Sequence, residues 1–343
     1  MAAAKKSVVR RPAQRWPRRL KAYRGADVRR GARELAITAI PFAFGWCLSF
    51  WALSDGQFWL YAFLIPLTAG FLVRLFLIQH DCGHGSFFPN RRLNDWLGRL
   101  IGILTLTPYD HWRRDHALHH ATSGNLDRRG VGDVSTLTVD EYLARSAWGQ
   151  LRYRLYRHPL VMLGLGPTYL FVLQNRLPLG HLRDGWRWWL SPMATNLGVV
   201  AAAGATVLLT GLWPFLLVQV PIVLLGAASG VWLFYVQHQF DGTHWARGKS
   251  WHVERAALRG SSFYDLPGVL RWFTANIGIH HVHHLASGIP YYRLPEVLRD
   301  HPELRDVGRV TIASSVRGLR LTLWDEACGR LISFGELRRR SLA

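Results

Sequence analysis

Cysteine is scarce in this chain: Cys47, Cys82 and Cys328 are the only three in 343 residues, widely spaced and with no CxxC pair. A disulfide framework and a thiolate metal site are thereby excluded, and a reducing compartment fits. Acidic residues are also few. Asp and Glu number 22 against 42 Lys and Arg, a formal net charge of +20. Such a balance suits an anionic partner, which could be nucleic acid or a membrane surface. No HExxH occurs, which removes the zinc-protease pattern. No repeat of solenoid period is visible either, so the chain is not a stack of short modules.

What the chain has in quantity is apolar residues, 49% of the total. They are concentrated in four runs, at 34–53, 57–79, 193–212 and 213–236, each long enough to cross a hydrocarbon core of ~30 Å at ~1.5 Å per residue. Ser54, Asp55 and Gly56 separate the first two, and the last two meet around Gly211 and Pro214. Each pair therefore reads as a hairpin with little exposed at its tip. The basic residues fall between these runs rather than along a polar arm, which decides for the membrane and against nucleic acid. A tail at 1–33, with Lys5, Lys6, Arg10, Arg11 and Arg15 among its cations, and the Arg-rich stretch 91–187 lie on the same side. By the positive-inside rule that side is cytoplasmic. No small-residue cleavage site follows the first run, which reads as an anchor and not a removed signal peptide. Two further apolar stretches, 96–107 and 158–174, read as interfacial or re-entrant helices. The fold expected is an all-α integral membrane protein, one domain at 34–343 that holds four transmembrane helices in two hairpins, interfacial helices and a cytoplasmic histidine-rich part.

Sixteen histidines are present, and nine of them fall in four groups at membrane exits. His80 and His84, in HDCGH, lie one helical turn apart directly after the second run. An isolated HxxxH is ordinarily an interfacial pair, so this one draws its meaning from the others. His116, His119 and His120 follow an HxxHH pattern that puts three imidazoles on one helical face. Packed together without a metal, such rings leave one another unsatisfied, because each neutral ring needs a donor and an acceptor. His280, His283 and His284 repeat the pattern. His281, rotated about 100° from His280 on a helix of ~3.6 residues per turn, points off that face. A single His238 ends the fourth run, where a lone histidine either caps carbonyls or joins a site. Eight or nine imidazoles exceed the four that one zinc takes and suit two ions with open positions. Imidazole accommodates iron, copper or zinc and does not choose among them.

On these motifs the sequence resembles the membrane fatty acid desaturases, and specifically the bacterial branch similar to omega-6 (Δ12) acyl desaturases. The likeness spans about Ala36 to Leu331, through HDCGH at 80–84, TPYDHWRRDHALHH at 107–120, FYVQHQF at 234–240 and NIGIHHVHHLASGIPYYRLPE at 276–296. It implies two non-haem iron ions held by His80, His84, His116, His119, His120, His280, His283 and His284, with His238 as ninth ligand. It also implies dioxygen as co-substrate and desaturation of a lipid-linked acyl chain. Phe234 stands where animal acyl-CoA desaturases have an Asn, so the metal geometry and substrate form of that branch do not carry over. Asp81 and Asp115, each beside a box histidine, are candidates for orienting an imidazole. Trp112 and Trp272 read first as interfacial belt residues, and Arg113 and Arg114 as headgroup contacts. His158-Pro159 continues as Leu160-Val161 without the Gly-Gly of a fused haem-binding donor, so the electrons are expected from a separate ferredoxin or small cytochrome with its reductase. A hydroxylase, acetylenase or carotenoid oxygenase on the same scaffold is the nearest alternative. A membrane metal transporter is the alternative of another class, disfavoured because the spans are read as holding no paired acidic residue.

Overall fold

The computed structural model describes residues 16–130 and 132–342. Lys5, Lys6, Arg10, Arg11 and Arg15 of the basic tail therefore lie outside the described residues. Among the described residues, four helices are long and apolar enough to cross a membrane: α1 (Val28–Ser54), α2 (Phe58–His84), α5 (Trp186–Thr210) and α6 (Leu212–His238). Between the hairpins stand α3 (Arg91–Leu104) and α4 (Tyr109–Thr122), and after them a short α7 (His280–Leu285).

Each long helix outruns the apolar stretch that announces it. The 27 residues of α2 amount to about 40 Å at ~1.5 Å per residue, against a hydrocarbon core of ~30 Å. Hydropathy ends where Gln79 and His80 begin, but the backbone ladder continues to His84 and stops at Gly85, a left-handed residue with φ 69°. The surplus turns carry the histidines out of the apolar layer on a rigid support. At the opposite ends the hairpins close tightly, through Gly56 at φ 72° and Gly211 at φ 86°.

Residues 16–33 are not a free tail. Trp16 and Leu20 are buried, with the Trp16 ring 5.6 Å from that of His301. Asp27 caps α1 by accepting from the Arg30 amide at 2.6 Å, and Arg30 pairs with Glu296 at 2.8 Å. The expectation that the spans hold no paired acidic residue fails. Buried Arg74 of α2 pairs with Glu34 of α1 at 2.5 Å, donates to Thr38 Oγ1 at 3.0 Å and to the Trp272 carbonyl. Trp272 lies beneath the Arg74 guanidinium, 4.1 Å from ring centroid to Cζ. An ionic group at that depth needs such partners, and this one ties helices together instead of lining a path.

The helix α3 buries Asn94, Gly98 and Ile101 and turns Leu93, Trp96, Leu100 and Leu104 outward, the outward stripe of a helix lying in an interface. The 158–174 stretch is irregular, with π-helical turns at Val161–Leu165 and Tyr169–Leu173. The fold is not wholly α. Strands β1 (Leu137–Thr138), β4 (Leu323–Asp325) and β5 (Arg330–Ile332) form a small sheet in the order β1-β4-β5, while β2 (Phe263–Tyr264) pairs in parallel with β3 (Arg309–Val310). Strands of two or three residues leave no alternation in a sequence to read.

Candidate metal centre

Three contacts bring the histidine helices to one place. Tyr109 at the start of α4 donates its hydroxyl to the Cys82 carbonyl of α2 at 2.8 Å. Gln79 of α2 accepts from Thr105 Oγ1 at 2.7 Å, fixing the turn between α3 and α4. Gln237, one residue before His238, donates to the Ile277 carbonyl at 3.2 Å and so pins the approach to α7.

The nine box and exit histidines gather into two groups: His80, His84, His116, His120 and His283 in one, His119, His238, His280 and His284 in the other. Within each, the donor atoms lie within 4.8 Å of one another. Each HxxHH box is divided. His119 parts from His116 and His120, and His283 parts from His280 and His284, so α4 and α7 each serve both groups. His120 and His284 stack across the divide with ring centroids 4.1 Å apart.

The spacing fits metal ions. In the first group Nε2 of His116 lies 3.0 Å from that of His84 and 3.1 Å from that of His120. In the second, Nε2 of His238 lies 3.1 Å from that of His119 and 3.0 Å from that of His280. Two nitrogens about 3.0 Å apart and at right angles about one ion imply bonds of about 2.1 Å, the length of an ordinary metal–imidazole bond. Burial, then the neighbouring imidazoles, pushes His116, His120, His280, His283 and His284 below the usual histidine range. They are thus neutral rings whose lone pairs can bind metal at neutral pH.

Around the groups the carboxylates are not all where sequence places them. Asp81 lies 3.2 Å from His80 Nδ1 and accepts the Tyr291 amide at 2.7 Å. Asp115, the other sequence candidate, lies 3.6 Å from His111 and not beside a box histidine. Asp133 stands in the place expected of it, 2.6 Å from His119 Nδ1. It is 14 residues away in a Gly-containing loop, with no periodicity to signal it. His281 belongs to neither group; its Nε2 faces the Leu304 carbonyl at 2.9 Å. Arg113 pairs with Asp95 at 2.7 Å instead of standing free for a headgroup. Trp112 lies against the site rather than the interface alone, stacked on His116 at 4.7 Å.

An apolar cleft lies between α2 and α6. Leu72, Val73 and Phe76 of α2 form one wall, Phe171 contributes from the π-helical segment, and Val223, Gly226 and Gly230 of α6 form another. Leu72, Phe76, His80 and His84 recur every four residues, as do Gly230, Phe234 and His238, so each wall continues into histidines on the same helical stripe. Two rings stand at the junction. Phe76 lies 5.5 Å from Trp112, and Phe234 lies 5.1 Å from His119 and 5.2 Å from His238.

A bundle of helices of membrane-spanning length, two converging imidazole groups able to hold metal and an apolar cleft walled by two of the same helices are the features of a metal-binding membrane protein. The model of one family, Fatty acid desaturase, matches residues 57–314. A protein of Bacillus subtilis (strain 168) named Fatty acid desaturase is 44% identical over 317 residues, 92% of this chain and 89% of that one. The sn-1 acyl-lipid omega-3 desaturase (ferredoxin) of Synechocystis is 30% identical over 259 residues, 71% of this chain and 64% of that protein. The endoplasmic reticulum omega-3 fatty acid desaturase of Vigna radiata is 28% identical over 281 residues, 77% of this chain and 67% of its own. The chain belongs to the fatty acid desaturase family and is an oxidoreductase.

Proposed function

We propose that this enzyme introduces a cis double bond into a lipid-linked fatty acyl chain, using dioxygen and two external electrons at a centre of two iron ions. The observation that carries the reading is the gathering of nine histidines into two groups, on helices two of which also wall an apolar cleft, in a chain of this family. The balance is one CH2–CH2 unit, one O2, two electrons and two protons giving one CH=CH and two waters. His80, His84, His116, His120 and His283 hold one ion, and His119, His238, His280 and His284 the other. Bound there, the irons supply the oxidant that side chains lack. The protein's share is to fix the rings, to seat the acyl chain between α2 and α6, and to keep bulk water off with Phe76, Trp112 and Phe234.

The Synechocystis relative's name specifies ferredoxin, which supports a separate small acidic carrier as donor, in keeping with the net charge of +20. The Δ12 (omega-6) position rests on the likeness of the boxes, while relatives carry omega-3 in their names. The test is expression in a host rich in monounsaturated lipid, with double bonds located in the total fatty acids by mass spectrometry. A second cis double bond at Δ12 is expected. A double bond elsewhere corrects the position alone, and a hydroxylated chain, a triple bond or an oxidised carotenoid moves the chain to a sister activity. No product with a competent donor refutes the reading.

The same proposal places the enzyme in a bacterial inner membrane as one desaturase domain, 34–343. The basic N-terminal segment, both termini and the iron centre face the cytoplasm. Reporters fused at either end and near Asp133 should all give cytoplasmic signals; a periplasmic signal from the central segment would refute the two-hairpin arrangement.

A further inference from the structure

We infer that Asp133 is the positioning residue of the four-histidine group, pressed against His119 by the turn at Gly132, so that ion binding in that group alone depends on it. The inference rests on the two-iron reading above.

His119 is almost wholly enclosed, at 1% side-chain exposure, and Asp133 lies 2.6 Å from its Nδ1. A neutral imidazole carries one proton. Donated from Nδ1 to the Asp133 carboxylate, it leaves the lone pair on Nε2, the atom 3.1 Å from Nε2 of His238. The contact thus selects the ring's tautomer and its rotation together. The other members of this group have no such partner. His238 Nδ1 faces the Gly260 carbonyl at 3.3 Å, and His280 Nδ1 is buried without a hydrogen bond. Among the described residues, Asp133 is the carboxylate that hydrogen-bonds to this group.

The loop is shaped for the contact. Gly132 has φ +66°, and a Cβ there would stand 3.2 Å from the His119 Cβ and 3.4 Å from the Asp115 carbonyl oxygen. A side chain would be strained by the backbone and crowded by α4 at once. Behind Asp133 is a small pocket lined also by Ser123, Asn125, Arg129, Gln239 and Trp245, where Arg129 is paired with Glu141. The five-histidine group has its own carboxylate, Asp81 beside His80, which leaves the two groups independently supported.

Metal content and release are the readouts, measured on protein purified from iron-replete cells with wild type alongside. Wild type should hold two irons. Asp133→Ala should hold about one, and Asp133→Asn should release its more labile ion to excess chelator about 10- to 100-fold faster than wild type, the usual effect of losing an outer partner. Gly132→Ala should change in the same direction, and Asp115→Asn should keep both ions. The thermal midpoints of the metal-stripped Asp133 and Asp115 variants should match that of stripped wild type, which separates positioning from folding, while strained Gly132→Ala should melt lower. Two tightly held irons in Asp133→Ala overturn the inference, and so does equal loss from both groups. A wild type holding fewer than two irons refutes the two-iron reading, and the role of Asp133 with it.

Discussion

Replacing His280 by alanine should empty the four-histidine group and abolish turnover, whereas replacing His281 beside it should leave two irons and measurable activity. With His280 gone, only His119, His238 and His284 remain to hold that ion. Loss of a direct ligand exceeds the about 10- to 100-fold effect of losing an outer partner, so turnover should fall by more than about 100-fold. His283→Ala and His284→Ala should behave alike, each opening the group to which it belongs. His281→Ala is not innocuous. It removes the 2.9 Å bond to the Leu304 carbonyl, leaving that oxygen the Val307 amide at 3.4 Å, and opens a void at a fully buried position. A loss of about 1–3 kcal/mol of stability is expected from the lost bond and the void together, read as a lower thermal midpoint with metal retained. Equal loss of iron across all four variants would show that His281 is a ligand.

Gly230→Phe should cut desaturation of long chains without removing metal. Nothing lies within 4 Å of where a Cβ at Gly230 would stand, and the residue lines the cleft two turns before His238 on α6. A ring placed there enters the cleft and not the backbone. If it displaces about four methylenes at about 0.8 kcal/mol each, about 3 kcal/mol of binding is lost, roughly a hundredfold in affinity. Assays with acyl lipids of graded length, run beside iron analysis, check this. Shorter chains should be retained relative to long ones. An unchanged chain-length profile would mean that the acyl chain runs elsewhere.

Much of this was legible in the residues, and what was not has identifiable reasons. Four apolar runs and nine histidines sufficed for the two hairpins and for the set that gathers, because both depend on local spacing along helices. The helix ends were read short, since hydropathy stops at Gln79 while hydrogen bonding runs on to His84. How each HxxHH box divides between two groups could not be read, for three rings on one face say nothing about which neighbour each meets. Asp115 was the natural guess for an orienting carboxylate because it adjoins His116. Helical geometry turns it instead toward His111, one turn earlier, and the loop brings Asp133 to His119 from a distance that periodicity does not register. The Glu34–Arg74 pair was missed for a related reason: Glu34 sat at the margin of its run, and only packing shows that its partner lies on the next helix.

The tight closures at Gly56 and Gly211 bear on how the enzyme can be reached. They stand at the far ends of helices whose other ends carry His84 and His238, about 40 Å away at ~1.5 Å per residue. At that face, only Asp55, Gly56 and Gln57 in one hairpin and Gly211 in the other lie outside helix. A protease or antibody applied there would find almost no loop to grip. In the two-hairpin arrangement proposed above, a redox carrier would reach the enzyme from the opposite face.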